Sequence, residues 1–192
     1  MDIHGFLTTH QLPSSYAETA QKWFTPLCEQ LLKHQEGATK PFIVGINGSQ
    51  GSGKSTLTSF IEYYLSSVHG KQVVSLSIDD FYFDQSQRNA LAIKVHPLLA
   101  TRGVPGTHNI PLALDTLRNL DSGSRTLLPR FDKATDNPFP TEQWPVIASS
   151  PDFIILEGWC VGATPQSQSE LKPPINHLEE VEDPLGIWRS FV

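Results

Sequence analysis

Short apolar runs alternate along the chain with longer segments in which apolar residues recur every three or four positions. The runs "PFIVGIN" (41–47), "QVVSLSID" (72–79) and "DFIILEGW" (152–159) contain β-branched residues and predict strands. Between the first two, "KSTLTSFIEYYLSSVHG" (54–70) has the apolar spacing of a helix. Because a strand, a helix and a second strand follow in that order, the sequence predicts an α/β fold with a parallel sheet covered by helices on both faces.

The same helical spacing predicts further helices over residues 15–36, 85–95 and 110–120. Pro26 is expected to kink or divide the first of these helices, and Gly37 is expected to end it. The segment 96–109 is rich in Pro, Gly and Thr, which predicts an irregular connection. Residues 125–145 are expected to supply one extended strand and a long irregular loop.

Composition restricts the classes of function. The chain has 192 residues, a net charge of −6 and a pI of about 5.6, without any run of Lys or Arg. This balance argues against nucleic acid or an anionic membrane as a partner. Cys28 and Cys160 stand alone, which predicts neither a disulfide framework nor a zinc site. Since no signal-peptide pattern or transmembrane run occurs, we expect a cytoplasmic protein.

A glycine-rich motif follows the first predicted strand. Gly48, Gly53, Lys54 and Ser55 satisfy the pattern GxxxxGK[ST]. Glycines permit positive φ angles, so that successive N–H groups can point at a phosphate chain, and the following helix adds its positive end. The alternative is a flexible Gly/Ser turn, and the flanking strand and helix argue against it.

The motif therefore predicts binding of a nucleoside triphosphate. Lys54 is expected to contact the outer phosphates, and Ser55 is expected to contact the Mg²⁺ that accompanies them. The predicted nucleotide-binding residues are Gly48, Ser49, Gln50, Gly51, Ser52, Gly53, Lys54, Ser55 and Thr56.

Acidic residues close the second and third predicted strands. Asp79 and Asp80 end the second, and Glu157 ends the third. Ligands of open parallel sheets bind at the carboxyl ends of the strands. Glu157 is therefore predicted to hold Mg²⁺ with Ser55, and Asp79 to orient and deprotonate an acceptor hydroxyl. A salt bridge is the alternative for Glu157, and an N-cap or Asx turn is favoured for Asp80.

Five motifs together resemble the P-loop small-molecule kinases, a group that includes uridine kinase, phosphoribulokinase and pantothenate kinase. The glycerate kinase type is the nearest likeness within it. The motifs are "GINGSQGSGKSTL", "SIDDFYF", "LLATRGVPGTHNI", "LPRFDKATDNPFP" and "FIILEGWCVGATP", in that order over 42–165. The resemblance implies a P-loop NTPase-type sheet, Asp79 as the base, Lys54 as a second catalytic residue and Glu157 as the Walker B type acid.

The resemblance also implies which side chains contact the acceptor. Four residues in the third and fourth motifs are expected to contact a carboxylate such as that of glycerate: Arg102, His108, Arg130 and Lys133. Tyr82 is expected to line the acceptor pocket beside Asp79. The alternatives are a solvated loop cation for Arg102, a turn residue for His108 and core packing for Tyr82.

The motifs predict a kinase that uses ATP and Mg²⁺ to phosphorylate a hydroxyl of a small-molecule acceptor, and the resemblance implies D-glycerate as that acceptor. A uridine- or pantothenate-type kinase and an ATP-binding regulatory module without catalysis are the alternatives. We expect one P-loop kinase domain over 1–192, with a helical segment 1–40, a core 41–165 and a polar segment 166–192. Kinases of this type extend well beyond the segment that corresponds to Trp188 and Arg189. We therefore expect the domain to lack some C-terminal elements.

Overall fold

The computed structural model describes residues 3–192. Its helices are α1 (Ile3–Thr9), α2 (Tyr16–Thr19), α3 (Thr25–Gln35), α4 (Lys54–Tyr63), α5 (Gln85–Lys94), α6 (Ile110–Ser122), α7 (Gln168–Leu171), α8 (His177–Glu182) and α9 (Ile187–Phe191). Short π-helical stretches lie at Ala20–Phe24 and Tyr64–Val68, and 3₁₀ turns at Ile78–Phe81, Pro97–Ala100 and Thr141–Gln143. The strands are β1 (Phe42–Asn47), β2 (Val73–Ser77), β3 (Thr126–Leu127), β4 (Phe131–Asp132), β5 (Asn137–Pro138), β6 (Val146–Ile147) and β7 (Phe153–Gly158).

The central sheet is parallel and has three strands in the order β1-β7-β2. Strand β7 lies between the two earlier strands, with Phe153 paired to Phe42 on one side and to Val73 on the other. The register continues to the carboxyl ends, where Glu157 lies beside Ile46 and Ser77. This parallel sheet, flanked by helices, confirms the predicted α/β class. Strands β1 and β2 are not neighbours, although a single helical connection joins them.

One face of the sheet packs against helices from the first part of the chain. Phe153 and Ile155 of β7 are fully buried, together with Phe60 and Leu65 from the segment after the glycine motif. Phe6 of α1 meets Phe60 edge to face, with ring centroids 5.3 Å apart. Aromatic pairs in this geometry add to the stabilisation from burial alone.

Gly37 ends the predicted first helix as expected, but Pro26 does not divide it, because the helical backbone continues from Tyr16 to Gln35. A π-helical stretch precedes α3, and Pro26 lies in the first turn of α3. A proline inside a helix removes one backbone hydrogen bond, and the π-helical stretch just before Pro26 accommodates that loss. The helix ends at Gln35, and Gly37 has a φ of +75°, which a residue with a side chain rarely adopts.

Residues 125–145 differ from the prediction of one extended strand. The structure has two-residue strands instead, and β4 pairs antiparallel with β5 so that Phe131 lies opposite Pro138. Asp136, in the turn between them, has a φ of +59°. Proline cannot donate a hydrogen bond to a strand ladder. The prolines of this segment therefore keep the strands short: Pro129, Pro138, Pro140 and Pro145.

The chain divides into two compact units. Unit 1 contains the described residues up to Ser77, Thr116–Thr126 and Val146–Val161. Unit 2 contains Ile78–Asp115, Leu127–Pro145 and Gly162–Val192. The parallel sheet and the glycine motif belong to unit 1. The hairpin β4/β5 and the helices α5, α7, α8 and α9 belong to unit 2. The single domain with its three segments stays a prediction.

A buried arginine organises the polar C-terminal part of unit 2. Arg189 of α9 is only 8% exposed and donates hydrogen bonds to the backbone oxygens of Leu171, Glu179 and Asp183 at 3.0, 3.2 and 3.1 Å. Its Nη1 also lies 3.4 Å from the carboxylate of Asp183, which is itself 1% exposed. Because Arg189 belongs to α9 and bonds to Leu171 of α7 and Glu179 of α8, its guanidinium connects these three short helices. Among residues 3–192, no helix has both the length and the hydropathy needed to cross a bilayer.

Replacing Leu65 by alanine is expected to lower the free energy of unfolding by about 2–5 kcal/mol, because this fully buried side chain would leave a cavity. Val68, on the same helical stretch, is 41% exposed. Val68→Ala should therefore cost less than about 1 kcal/mol. Urea denaturation followed by circular dichroism measures both, and equal losses would contradict the packing described.

Candidate functional site

The glycine motif forms the turn between β1 and α4 in unit 1. Gly51 has a φ of +77° and Gly53 has a φ of +88°. Both values lie in the left-handed region, which glycine adopts without the steric cost that a side chain would add. Gly53 is the residue directly before α4. The turn therefore leads the chain from the strand into a helix that begins at Lys54, as the sequence predicts.

Gly48 is required by space rather than by its backbone angles. A Cβ atom at this position would lie 2.6 Å from Oγ of Ser52 and 3.1 Å from Cγ of Lys54. The loop is compact at this point, since the N–H of Ser52 donates to the backbone oxygen of Ser49 at 3.2 Å. The space beside Gly48 is therefore filled by the side chains of Ser52 and Lys54, which would have to shift if a Cβ were added there.

The start of α4 gives this loop a positive potential. The first four N–H groups of a helix have no acceptor within it, and Leu57 is the first residue here whose N–H donates to the helix, at 2.9 Å to the oxygen of Gly53. The ammonium of Lys54 folds back and donates to the oxygen of Ser49 at 3.2 Å. A cation over a loop of backbone amides at a helix N-terminus is suited to a phosphate chain.

Glu157 reaches the motif from the neighbouring strand. Its Oε1 accepts a hydrogen bond from Oγ of Ser55 at 3.4 Å, and its Oε2 lies 4.0 Å from Nζ of Lys54. The side chains of Lys54 and Glu157 are only 14% and 13% exposed. Because little water screens them, these charges interact more strongly than a surface pair does. The structure thus brings together Lys54, Ser55 and Glu157.

Ser55 and Glu157 also fit the donor set of Mg²⁺. This ion prefers oxygen ligands at about 2.0–2.1 Å in octahedral geometry, which places neighbouring ligands about 3 Å apart. The hydroxyl and carboxylate oxygens are 3.4 Å apart, so a small adjustment would suffice. Within the described residues, no group of three or more His, Cys, Asp or Glu could hold a metal ion. Phosphate and water oxygens would have to complete the coordination.

Asp79 lies in the 3₁₀ turn that opens unit 2, and its carboxylate accepts hydrogen bonds from Lys133 and Tyr82. Nζ of Lys133 donates to Oδ2 at 2.7 Å, and the hydroxyl of Tyr82 donates to Oδ1 at 3.0 Å. Burial raises the pKa of Asp79. The hydrogen bond from Lys133, the positive charge of Lys133 and the hydrogen bond from Tyr82 together outweigh burial, so the pKa is lowered overall. Asp79 is therefore ionised at neutral pH and able to accept a hydrogen bond from an alcohol.

His108 packs beside this carboxylate. It is 3% exposed, and its ring stacks on Tyr82 with centroids 4.4 Å apart. Burial lowers the pKa of His108 from 6.5 to about 4, against the opposing effect of the Asp79 charge. Its Nε2 has no hydrogen-bond partner among the described residues. A neutral imidazole with an unpaired buried nitrogen has unused capacity for a polar ligand atom, because leaving such an atom unpaired is costly.

Asp80 and Arg130 form a separate pair in unit 2. Nη1 of Arg130 donates to Oδ2 of Asp80 at 3.2 Å, and the N–H of Phe131 donates to Oδ1 at 3.2 Å. These bonds attach the 3₁₀ turn to β4. The side chain of Arg130 remains 32% exposed, so part of its guanidinium is open to solvent.

Arg102 is paired with a residue that the sequence did not single out. Its Nη1 donates to Oδ1 of Asp136, and its guanidinium lies over the ring of Phe131, 5.6 Å from the centroid. Arg88, fully buried, donates to the other oxygen of Asp136. The apolar spacing of a helix does not show that an arginine on it is buried. The letters "TDN" (135–137) indicate a turn, but they do not show what the side chain of Asp136 contacts. Neither Arg88 nor Asp136 could therefore be found from the sequence.

The predicted site residues thus form two local groups, one in each unit. The residues at the glycine motif and Glu157 belong to unit 1. The predicted base and the predicted acceptor contacts belong to unit 2: Asp79, Tyr82, Arg102, His108, Arg130 and Lys133. Within unit 2, Lys133 contacts Asp79, and Tyr82 contacts both Asp79 and His108. Their roles in binding and catalysis stay predictions.

Comparison with known proteins assigns these motifs to a family. Residues 43–164 match the model of the phosphoribulokinase/uridine kinase family. A chloroplastic D-glycerate 3-kinase of Arabidopsis thaliana is 28% identical over 79% of this chain and 36% of its own length. A pantothenate kinase of Streptococcus pyogenes is 30% identical over 62% of this chain and 37% of its own length.

A solved structure shows the same fold. The D-glycerate 3-kinase of Cryptococcus neoformans var. grubii superposes with a TM-score of 0.66 at 30% identity, over 80% of this chain and 56% of that one. The chain spans only 36% to 54% of the length of the first curated relatives that it matches.

Gly48→Ala is expected to weaken ATP binding by at least about tenfold, because the added methyl would push Ser52 and Lys54 out of the loop. Gly37→Ala is the matched control. Gly37 also belongs to unit 1 and has a positive φ, but a Cβ there meets nothing within 4 Å. That variant should lose stability and keep its affinity for ATP. Isothermal titration calorimetry measures both affinities, and equal weakening would remove the steric argument.

Acid should destabilise the chain through His108. Above pH 6.5 this residue is neutral in the folded and the unfolded chain. Between pH 6.5 and about 4, the unfolded chain binds a proton that the folded chain does not, so stability falls. The expected loss from pH 7 to pH 5 is about 2 kcal/mol.

His108→Phe keeps an aromatic ring on Tyr82 and removes this titration, so its unfolding free energy should depend less on pH over that range. The measurement is urea denaturation of both proteins at pH 7, 6 and 5. Identical slopes would show that His108 does not cause the acid sensitivity.

Proposed function

Because the chain belongs to the phosphoribulokinase/uridine kinase family, we propose that it transfers the γ-phosphoryl group of ATP to a hydroxyl of a small carboxylic acid, with D-glycerate as the acceptor. The observation that carries the proposal is the arrangement of Lys54, Ser55 and Glu157 at the glycine loop. A cation, a hydroxyl and a carboxylate at one helix N-terminus suit a metal-bound polyphosphate.

The glycine loop binds the phosphates in this proposal. The backbone amides of residues 49–55 donate to phosphate oxygens, and Lys54 releases the oxygen of Ser49 to contact the outer phosphates. Ser55 and Glu157 hold Mg²⁺. When bound, this ion offsets negative charge on the phosphate oxygens. Because the transition state of phosphoryl transfer is loose, positioning and electrostatics supply most of the catalysis.

Asp79 acts as the base that receives the proton of the acceptor hydroxyl. It is ionised at neutral pH, which is the form that accepts a proton. Its partner Lys133 is 61% exposed, so their ion pair is weak and can be exchanged. An acceptor carboxylate takes over Lys133 in this proposal, while the acceptor hydroxyl takes its place beside Asp79.

Other side chains of unit 2 recognise the rest of the acceptor. Arg102 and Arg130 are each about one third exposed and present guanidinium groups to a carboxylate. The unpaired Nε2 of His108 bonds to a polar atom of the acceptor, and Tyr82 supports it by stacking.

The choice of glycerate is supported by the two D-glycerate 3-kinases among the relatives. The similarity to pantothenate kinase supports the rival assignment to pantothenate, which is also a hydroxy acid. A third possibility is a module that binds ATP and does not catalyse transfer. A glycerate kinase would release ADP faster when D-glycerate is added, and a pantothenate kinase would do so when pantothenate is added. A module that only binds ATP would respond to neither acceptor.

An acceptor panel separates them. The chain is incubated with ATP and Mg²⁺ and with D-glycerate, pantothenate or uridine, and ADP and the phosphorylated product are measured. We expect D-glycerate to stimulate ADP release most strongly. If ATP raises the melting temperature while no acceptor stimulates ADP release, the regulatory module is the better assignment.

Asp79→Asn is expected to keep the affinity for ATP and to lower acceptor-dependent ADP release by about 10²–10⁴-fold, since the base is lost. Asp84→Asn is the control. Asp84 is the N-cap of α5, and asparagine caps helices equally well, so its turnover should remain unchanged. Normal turnover of Asp79→Asn would exclude Asp79 as the base.

A further inference from the structure

Asp136 accepts hydrogen bonds from two arginines. Nη2 of Arg88 lies 2.5 Å from its Oδ2, and Nη1 of Arg102 donates to its Oδ1. Each carboxylate oxygen therefore has its own guanidinium partner. Without this carboxylate the two like charges would lie close together with no counter-charge.

Arg88 fixes the position of the Asp136 carboxylate. It is fully buried, and it also donates to the backbone oxygens of Phe83 at 2.5 Å, Ala100 at 3.2 Å and Asp136 at 3.3 Å. These bonds use four of its five N–H donors, and because the side chain is fully buried it is closed to a ligand. Arg88 therefore serves as an anchor for the carboxylate rather than as a ligand contact.

Arg102 differs from Arg88 in what remains accessible. Its side chain is 30% exposed, and among the described residues its guanidinium donates one hydrogen bond, to Asp136. Its Cζ lies over the ring of Phe131, 5.6 Å from the ring centroid. A guanidinium has five N–H donors. Asp136 and Phe131 thus restrain the side chain, and most of its donors remain for a ligand.

The backbone conformation of Asp136 does not by itself select an aspartate. Its φ of +59° lies in the left-handed region, where Asn and Gly are also well accommodated. Either residue would satisfy the turn without placing a charge between two arginines. The turn geometry alone therefore does not explain the aspartate.

The cluster has an unbalanced charge. Arg88 and Arg102 are cations and Asp136 is an anion, so one positive charge remains. Since Arg88 is buried, that charge is available only at the accessible edge of Arg102. A planar carboxylate pairs with a guanidinium edge through two parallel hydrogen bonds.

We propose that Asp136 is a positioning residue that holds Arg102 for the carboxylate of the acceptor, and that it thereby makes the site selective for acidic acceptors over neutral ones. The inference rests on the proposed function, because it assumes that Arg102 contacts the acceptor. Asp136 itself does not touch the acceptor.

The test compares D-glycerate with glycerol, in which a neutral CH₂OH group replaces the carboxylate. Asp136→Asn retains the shape of the side chain and tolerates the positive φ. We expect its KM for D-glycerate to rise at least tenfold, while its kcat and its KM for ATP change less than threefold. The preference for D-glycerate over glycerol, as the ratio of kcat/KM values, should fall by a similar factor.

Two controls separate positioning from general damage. Asp132→Asn removes a carboxylate from the same hairpin, and Asp132 bonds to Ala134 and Thr135 rather than to an arginine. Its KM for D-glycerate should remain that of the unchanged chain. Asp136→Asn combined with Arg102→Ala should be no worse than Arg102→Ala alone, because Asp136 acts through Arg102.

Each outcome has a distinct meaning. If the unchanged chain phosphorylates D-glycerate and Asp136→Asn retains its KM and its selectivity, the positioning role is wrong and the proposed function stands. Additive increases in the KM for D-glycerate in the double variant would also overturn the positioning role of Asp136. If D-glycerate is neither phosphorylated nor protects the unchanged chain from thermal unfolding, the proposed acceptor fails, and this inference fails with it. Protection that Asp136→Asn abolishes would support the subsite even without turnover.

Discussion

The insertion of β7 between β1 and β2 is the constraint on which the site of unit 1 depends. Parallel pairing fixes the register along the whole strand, so Glu157 lies beside Ile46 just before the glycine loop begins. Ser55 and Glu157 are 102 residues apart in the chain, and only this pairing brings them within hydrogen-bond distance. A slip of one residue would turn Glu157 toward the opposite face of the sheet. The proximity of Ser55 and Glu157, the predicted metal ligands, is therefore a consequence of strand order.

Much of the architecture was predictable because it depends on local patterns. The apolar runs that became β1, β2 and β7, and the helical spacing that became α4 and α5, are properties of short windows. The glycine motif is equally local, since Gly51 and Gly53 have the positive φ angles that such a turn requires. The order of the strands was not predictable in this way, because it depends on pairing between distant segments.

The ionic contacts of unit 2 were also beyond sequence reasoning. Lys133 was expected to bind an acceptor, and it contacts Asp79. Resemblance indicates Arg102 as an acceptor contact, but the sequence gives no sign of its partner Asp136, because a turn residue does not reveal what its side chain contacts. The unused Nε2 of His108 depends on burial among Tyr82 and its neighbours. Side-chain pairing in irregular segments depends on tertiary packing, and hydrophobic periodicity does not report it.

The separation of β1 from β2 has a consequence for how the protein is made. Neither strand pairs with the other, so synthesis of the first half of the chain yields two strands without a shared ladder. The sheet closes only when β7 has emerged from the ribosome and entered between them. Such long-range closure slows folding and leaves strand edges exposed during translation. The edges of β1 and β2 that later pair with β7 therefore stay unpaired until residues 153–158 have been synthesised.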